Sequence, residues 1–96
     1  MPSYRITITI GALRPGVKPE QVLPAATEAA AAITTVEAFD LGIVAGAPRI
    51  VIRFTADDES VARRVAVHVI QATHAVAEAL HPKLTRRDGG RWYVVR

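Results

Sequence analysis

The stretch HVIQATHAVAEALH places His68, His74 and His81, all the histidines of the chain, within fourteen residues. Imidazoles this dense are the raw material of a zinc centre or a proton relay. Projected on a helix at about 100° per residue, Val65, Val69, Val76 and Leu80 form the buried stripe. His74 falls on the opposite side with Arg63 and Glu78, and His68 lies about 120° around from His74. His74 and His81 share a side but stand about 10 Å apart along the axis, too far for one tetrahedral ion. Only His74 and Glu78, at i and i+4, have ligand spacing. Zinc takes three or four protein ligands, and the chain has neither a cysteine nor an HExxH sequence. The expectation is a solvated helix face, with no metal and no cofactor.

Nucleophilic catalysis needs a base and an orienting group beside the nucleophile. Ser3 and Ser60 are the only serines, and Ser60 follows Asp57, Asp58 and Glu59 at a helix start, where capping explains it. No catalytic residue is expected. Arginine is the residue type that stands out. Ten of the twelve basic residues are arginine, with lysine only at Lys18 and Lys83, and the net charge is +3. Guanidinium suits planar, bidentate pairing with carboxylates or phosphates and stacking on flat groups, more than diffuse attraction.

The elements that must hold these residues follow from hydrophobic period. Ninety-six residues, half of them hydrophobic and few aromatic, make a single domain over 1–96 with a core of Ala, Val, Ile and Leu. With no cysteine, disulfides, iron–sulfur clusters and thiol chemistry are excluded. The alternating MPSYRITITI is no signal peptide and no stretch approaches a membrane span, so a cytoplasmic protein with no membrane association is expected.

Tyr4, Ile6, Ile8 and Ile10 alternate with Arg5, Thr7 and Thr9, the mark of a strand with one wet face. Pro15, Gly16 and Pro19 break it. An alanine-rich helix beginning near Gln21 to Leu23 follows, with Val22, Ala26, Ala29, Ala30 and Ile33 on its inner stripe. VEAFDLGIV and RIVIRF read as a hairpin around a loop of residues 45–48. That loop pairs Val44 with Arg49, Ile43 with Ile50, Leu41 with Ile52 and Phe39 with Phe54, and sets Asp40 against Arg53 on the other face. Thr55 and Asp58 have capping-box spacing before a second helix over residues 56–80, closed by Pro82. Such a helix would be about 37 Å long and would overhang a short strand. KLTRR and RWYVVR, joined by Asp88, Gly89 and Gly90, read as a last hairpin of short strands.

Strand, helix, strand, strand, helix, strand is the split βαβ order of a ferredoxin-like α+β fold, βαββαβ, with an antiparallel sheet, two helices on one face and an extra C-terminal strand. The first and third strands then lie side by side, and the uncovered face presents Arg5, Thr7 and Thr9 beside Arg49, Val51 and Arg53. That face is the leading site for a protein partner or a second copy, in a non-catalytic interaction or regulatory domain working as a homodimer or small subunit.

Nucleic acid is the alternative, along a basic, aromatic edge of Arg86, Arg87, Arg91, Trp92 and Tyr93. RNA-recognition domains, however, stack bases on aromatics of the central strands, where this chain has Thr7, Thr9, Val51 and Arg53. An enzyme of small substrates is the third reading. Of the adjacent rings Trp92 and Tyr93, one should enter the core and the other lie on the open face.

The turn Arg14-Pro15-Gly16-Val17 after the first strand resembles the start of ACT domains, whose first strand runs into an Arg-Pro-Gly-hydrophobic turn. The likeness in element order covers roughly residues 4–77, and its sequence signal is those four residues. It implies a ferredoxin-like regulatory domain with a small-molecule effector site lined by this turn and the facing helix of a dimer mate. Lys18 and Pro19 follow the turn at once, and no attached catalytic domain is expected, both departures from the family pattern.

Overall fold

Tyr4, Ile6, Ile8 and Ile10 are all buried along β1 (Ser3–Leu13), the middle strand of a five-stranded antiparallel sheet. The chain continues through a single 3-10 turn (Pro19–Gln21), α1 (Val22–Ala31), β2 (Val36–Val44), β3 (Ala47–Thr55), α2 (Glu59–His74), β4 (Ala77–Asp88) and β5 (Arg91–Val94). This computed structural model describes residues 1–96. The sheet order is β2-β3-β1-β4-β5, the ferredoxin-like arrangement with β5 added beyond β4 as a hairpin. No helix is long and apolar enough to cross a membrane.

The core lies between the sheet and the two helices. Tyr4, Ile6, Ile8, Ile50, Ile52 and Phe54 meet Val22, Ala26 and Ala30 of α1 and Ala62, Val65 and Val69 of α2. Alanines on α1 let that helix sit close to the sheet. Tyr4 and Phe54 are cross-strand partners whose rings stack 5.9 Å apart. Burial, then the charge of Glu59, raises the Tyr4 phenol above its ordinary pKa. Asp58 caps α2 by accepting the Val61 N–H at 2.9 Å, so the cap is Asp58 and not Thr55, which ends β3.

Several sequence expectations are corrected. The second helix stops at His74, and 77–80, read as its last turns, belong to β4. Ala, Glu and Leu favour helix locally, yet β1 runs on to Leu13 and pairs Ile10 with Ala79 and Leu13 with Ala77. Tertiary pairing outweighs propensities of a few tenths of a kcal/mol per residue. Val76 therefore lies past the helix and Leu80 is an exposed strand residue. Ile33 likewise falls beyond α1 and is exposed.

The β2–β3 loop is two residues, Ala45 and Gly46, both at positive φ (52° and 79°), as hairpins with two-residue turns require. Pro48 suggested a longer loop but sits at the start of β3 opposite Ile43, where a missing N–H is tolerated. Pairing is thus shifted by two residues: Leu41 faces Ile50, Phe39 faces Ile52 and Asp40 faces Val51. An even shift keeps every side chain on its expected face.

β4 and β1 each carry an irregularity. His81, at φ 49°, sits where β4 has one residue more than β1 between Thr7 and Thr9, and β1 has the extra residue between Ile10 and Leu13. There the Glu78 carboxylate accepts the freed Ala12 N–H at 2.8 Å. Gly11 lies so close that a Cβ would stand 2.9 Å from the Glu78 Cβ.

Candidate functional site

The three pairings of β1 with β3, Arg5 with Arg53, Thr7 with Val51 and Thr9 with Arg49, bring the six expected residues together on the face away from the helices. Alternation does this: their neighbours Ile6, Ile8, Ile50 and Ile52 are held in the core. β4 adds Lys83 opposite Thr7 and Thr85 opposite Arg5. β5 adds Trp92, which pairs with Arg87.

Trp92 is the organising side chain. Its ring reaches across β4 to β1, where the Arg5 guanidinium stands 4.0 Å from the ring centroid, and Arg53 approaches it at 5.4 Å. Two like-charged side chains facing each other across a ladder repel, and here both approach the Trp92 π-system, which offsets that repulsion. Thr85, between Arg5 and Val94 in the ladder, is buried although it lies on the open side. Beside the stack is a shallow hollow of about 320 Å³ lined by Arg5, Ala38, Asp40, Val51 and Arg53.

Arg53 is also tied to Glu37, Nε to Oε1 at 3.2 Å, and the Ser3 hydroxyl donates to the same oxygen at 2.6 Å. The Ser3 hydrogen bond, followed by that of Arg53, holds the Glu37 carboxyl below its ordinary pKa, with partial burial opposing. The partner expected for Arg53 was Asp40. The shifted hairpin register and the slip between Val36 and Ala38 bring Glu37 to it instead. Arg5, Arg49, Lys83 and Arg87 have no carboxylate within ion-pair distance.

The five residues of the proposed nucleic-acid edge are split between the two faces. Arg87 and Trp92 are on the open face. Arg86 is on the helix side, bound to Glu59 of α2 at 3.0 Å, and the same alternation places Tyr93 and Arg91 there with it. Tyr93 remains half exposed and does not enter the core.

At the turn, Gly16 at φ 80° and the Val17 N–H to Arg14 carbonyl bond of 3.1 Å close a tight Pro-Gly turn. Arg14 is engaged elsewhere. Its backbone N–H donates to the Val76 carbonyl at 3.0 Å, its Nε donates to the His74 carbonyl at 3.0 Å, and Nη2 lies 3.0 and 3.2 Å from the two ring nitrogens of His74. A cation on the last carbonyl of α2 is a favourable C-terminal cap. An open hollow of about 530 Å³ adjoins the turn, lined among others by Pro15, Gly16, Val17, Gln21 and Glu28.

The histidines are dispersed. His68 is exposed on α2, His74 ends it, and His81 lies in the β4 bulge. His74 and Glu78 are no longer one helical turn apart, since Glu78 is in β4 bonded to Ala12. No three His, Asp or Glu side chains converge as a metal-binding group. No family model matches the chain, and neither a curated protein nor a solved structure does.

Proposed function

We propose that this domain is a non-catalytic binding module whose open sheet face takes an acidic surface of a partner protein, as a small subunit or regulator. The observation that carries this is the arginine stack: Arg5 and Arg53 are held against Trp92, and of the five cations on the face only Arg53 has a carboxylate partner. Guanidiniums already ordered lose less entropy on pairing, which is what selective carboxylate recognition needs. A face-to-face homodimer is disfavoured, since it would set one arginine row against another.

The nucleic-acid reading ranks second. Base stacking needs a free ring, and Trp92, the aromatic side chain on this surface, is already covered by Arg5. A small-molecule effector of the kind the ACT resemblance implies would lie in the hollow beside residues 14–17.

Trp92 is the only tryptophan, so its emission reports on the site. A decaglutamate peptide should change that emission saturably, with affinity falling as salt rises, and Arg5→Ala should abolish the change. A response to a single-stranded RNA of equal charge and not to the peptide would transfer the face to nucleic acid, and no response to either would remove the proposal.

A further inference from the structure

β2 is the outer strand of the sheet for nine residues; no strand pairs with its outer edge, where the Leu41 N–H donates to the Asp40 carboxylate at 2.9 Å, a local bond that strand pairing would replace. On its helix-side face Phe39 is 58 % exposed, Leu41 47 % and Ile43 67 %. Those three expose on the order of 300 Å² of apolar surface, the size at which a patch on a monomer marks an interaction site. The cause is local. α1 is ten residues, half of them alanine, and leaves the outer strand uncovered. Between them runs an apolar groove of about 200 Å³, lined by Ile10, Leu13, Val22, Leu41, Ile43 and Pro48.

We propose that this edge joins a second copy of the chain, β2 to β2 antiparallel about a two-fold axis through Leu41, to give one continuous ten-stranded sheet. The strand is self-complementary in that register. Leu41 meets Leu41 of the other copy, Phe39 meets Ile43, and Ala38 meets Val44. Asp40, one of only two charges in the strand, meets Gly42 and not its own kind. A two-fold through Asp40 would oppose two carboxylates, and a register with an odd offset would put the helices of the two copies on opposite sides.

Six large apolar side chains and the paired main chain would be buried, and the flanks of α1 add to this towards the roughly 800 Å² per partner of a stable interface. The opposite edge offers no comparable site, because β5 has four residues and the part of β4 that it leaves unpaired, residues 77–84, is broken by His81 at φ 49° and by Pro82. A head-to-tail fibre is therefore disfavoured and the two-fold closes the assembly. The inference is independent of the arginine face, which stays open in this dimer and becomes twice as wide.

Light scattering of the full chain across a concentration series, at low and high salt, should give twice the chain mass at both salts, because the contact is apolar. Leu41→Asp should raise the dissociation constant about 100-fold while leaving far-UV circular dichroism unchanged. The chain has no cysteine, so single replacements test the register directly. Leu41→Cys should oxidise to a covalent dimer, since directly opposed strand residues fall within disulfide reach. Ile43→Cys alone should not, whereas Phe39→Cys combined with Ile43→Cys should. A monomeric wild type throughout would overturn the proposal. So would a dimer that survives Leu41→Asp but is broken by Val51→Glu, because that would put the contact on the sheet face. Should Leu41→Asp fail to fold, cross-linking at the three cysteine positions decides alone.

Discussion

At one edge of the sheet β5 contributes four residues, Arg91 to Val94, and turns away after Trp92 has folded back over the open face. At the other, β2 runs for nine residues with no lysine, no proline and a line of exposed Phe39, Leu41 and Ile43. A short strand beside arginine is how proteins keep an edge from pairing, and a long apolar one invites it. Its neighbour sharpens the contrast. β3 has the same alternation on the same face, yet Ile50, Ile52 and Phe54 are fully buried. Period decides which face a side chain takes. Whether that face is covered depends on how far a helix on the other side of the core extends.

The strongest way to break the comparison is to cut matched side chains from the two strands. Phe54→Ala should cost about 3–5 kcal/mol of stability, since Phe54 is wholly buried and stacked on Tyr4. Phe39→Ala should change the stability of the isolated chain by no more than about 0.5 kcal/mol. Urea unfolding at concentrations too low for association measures both, and a Phe39→Ala loss close to that of Phe54→Ala would refute the contrast.

A middle effect is expected where β1 meets β4. Gly11→Ala places a Cβ against the Glu78 Cβ and breaks the carboxylate's approach to the Ala12 N–H. The loss should be about 1–3 kcal/mol, readable as a lower denaturation midpoint, and an unchanged midpoint would mean that the bulge relaxes freely.

Much of this was legible in the residues. The alternation of Tyr4 to Ile10 and the spacing of the apolar segments define the element order, and parity assigns Arg5, Thr7, Thr9, Arg49, Val51 and Arg53 to one surface. Three features were not legible, each for a physical reason. Residues 77–80 are helix formers that take strand geometry only because β1 is there to pair with them. Pro48 imitates a loop residue although it opens a strand. The Glu37–Arg53 contact depends on a slip between Val36 and Ala38, and a one-residue slip leaves no mark in hydropathy. One of the adjacent rings Trp92 and Tyr93 had to lie on the open face, but neither that it is Trp92 nor its contact with Arg5 was legible.

The hairpin that presents β2 can be tightened. Ala45 holds a φ of 52° before Gly46, a conformation that disfavours a Cβ, and Asn-Gly is the favoured pair in such turns. Ala45→Asn should stabilise the chain by up to about 1 kcal/mol and strengthen association through β2 by ordering the strand. A raised melting temperature with unchanged association would confine the effect to the turn.

The smallest effect concerns Glu37, which fastens the inner end of β2 to Ser3 and Arg53. Its carboxyl is held below the ordinary value of 4.5, so between the folded and unfolded pKa values the unfolded chain binds more protons. The contribution is therefore complete above the unfolded value and is lost as the pH falls through the folded one. Both side chains are about one-third exposed, which keeps the amount small. Thermal unfolding of the wild type and of Glu37→Gln from pH 6 to pH 3 should show a modest gap at pH 6 that closes on acidification. A gap independent of pH would assign the contact to packing at the end of β2, with no part for the carboxylate charge.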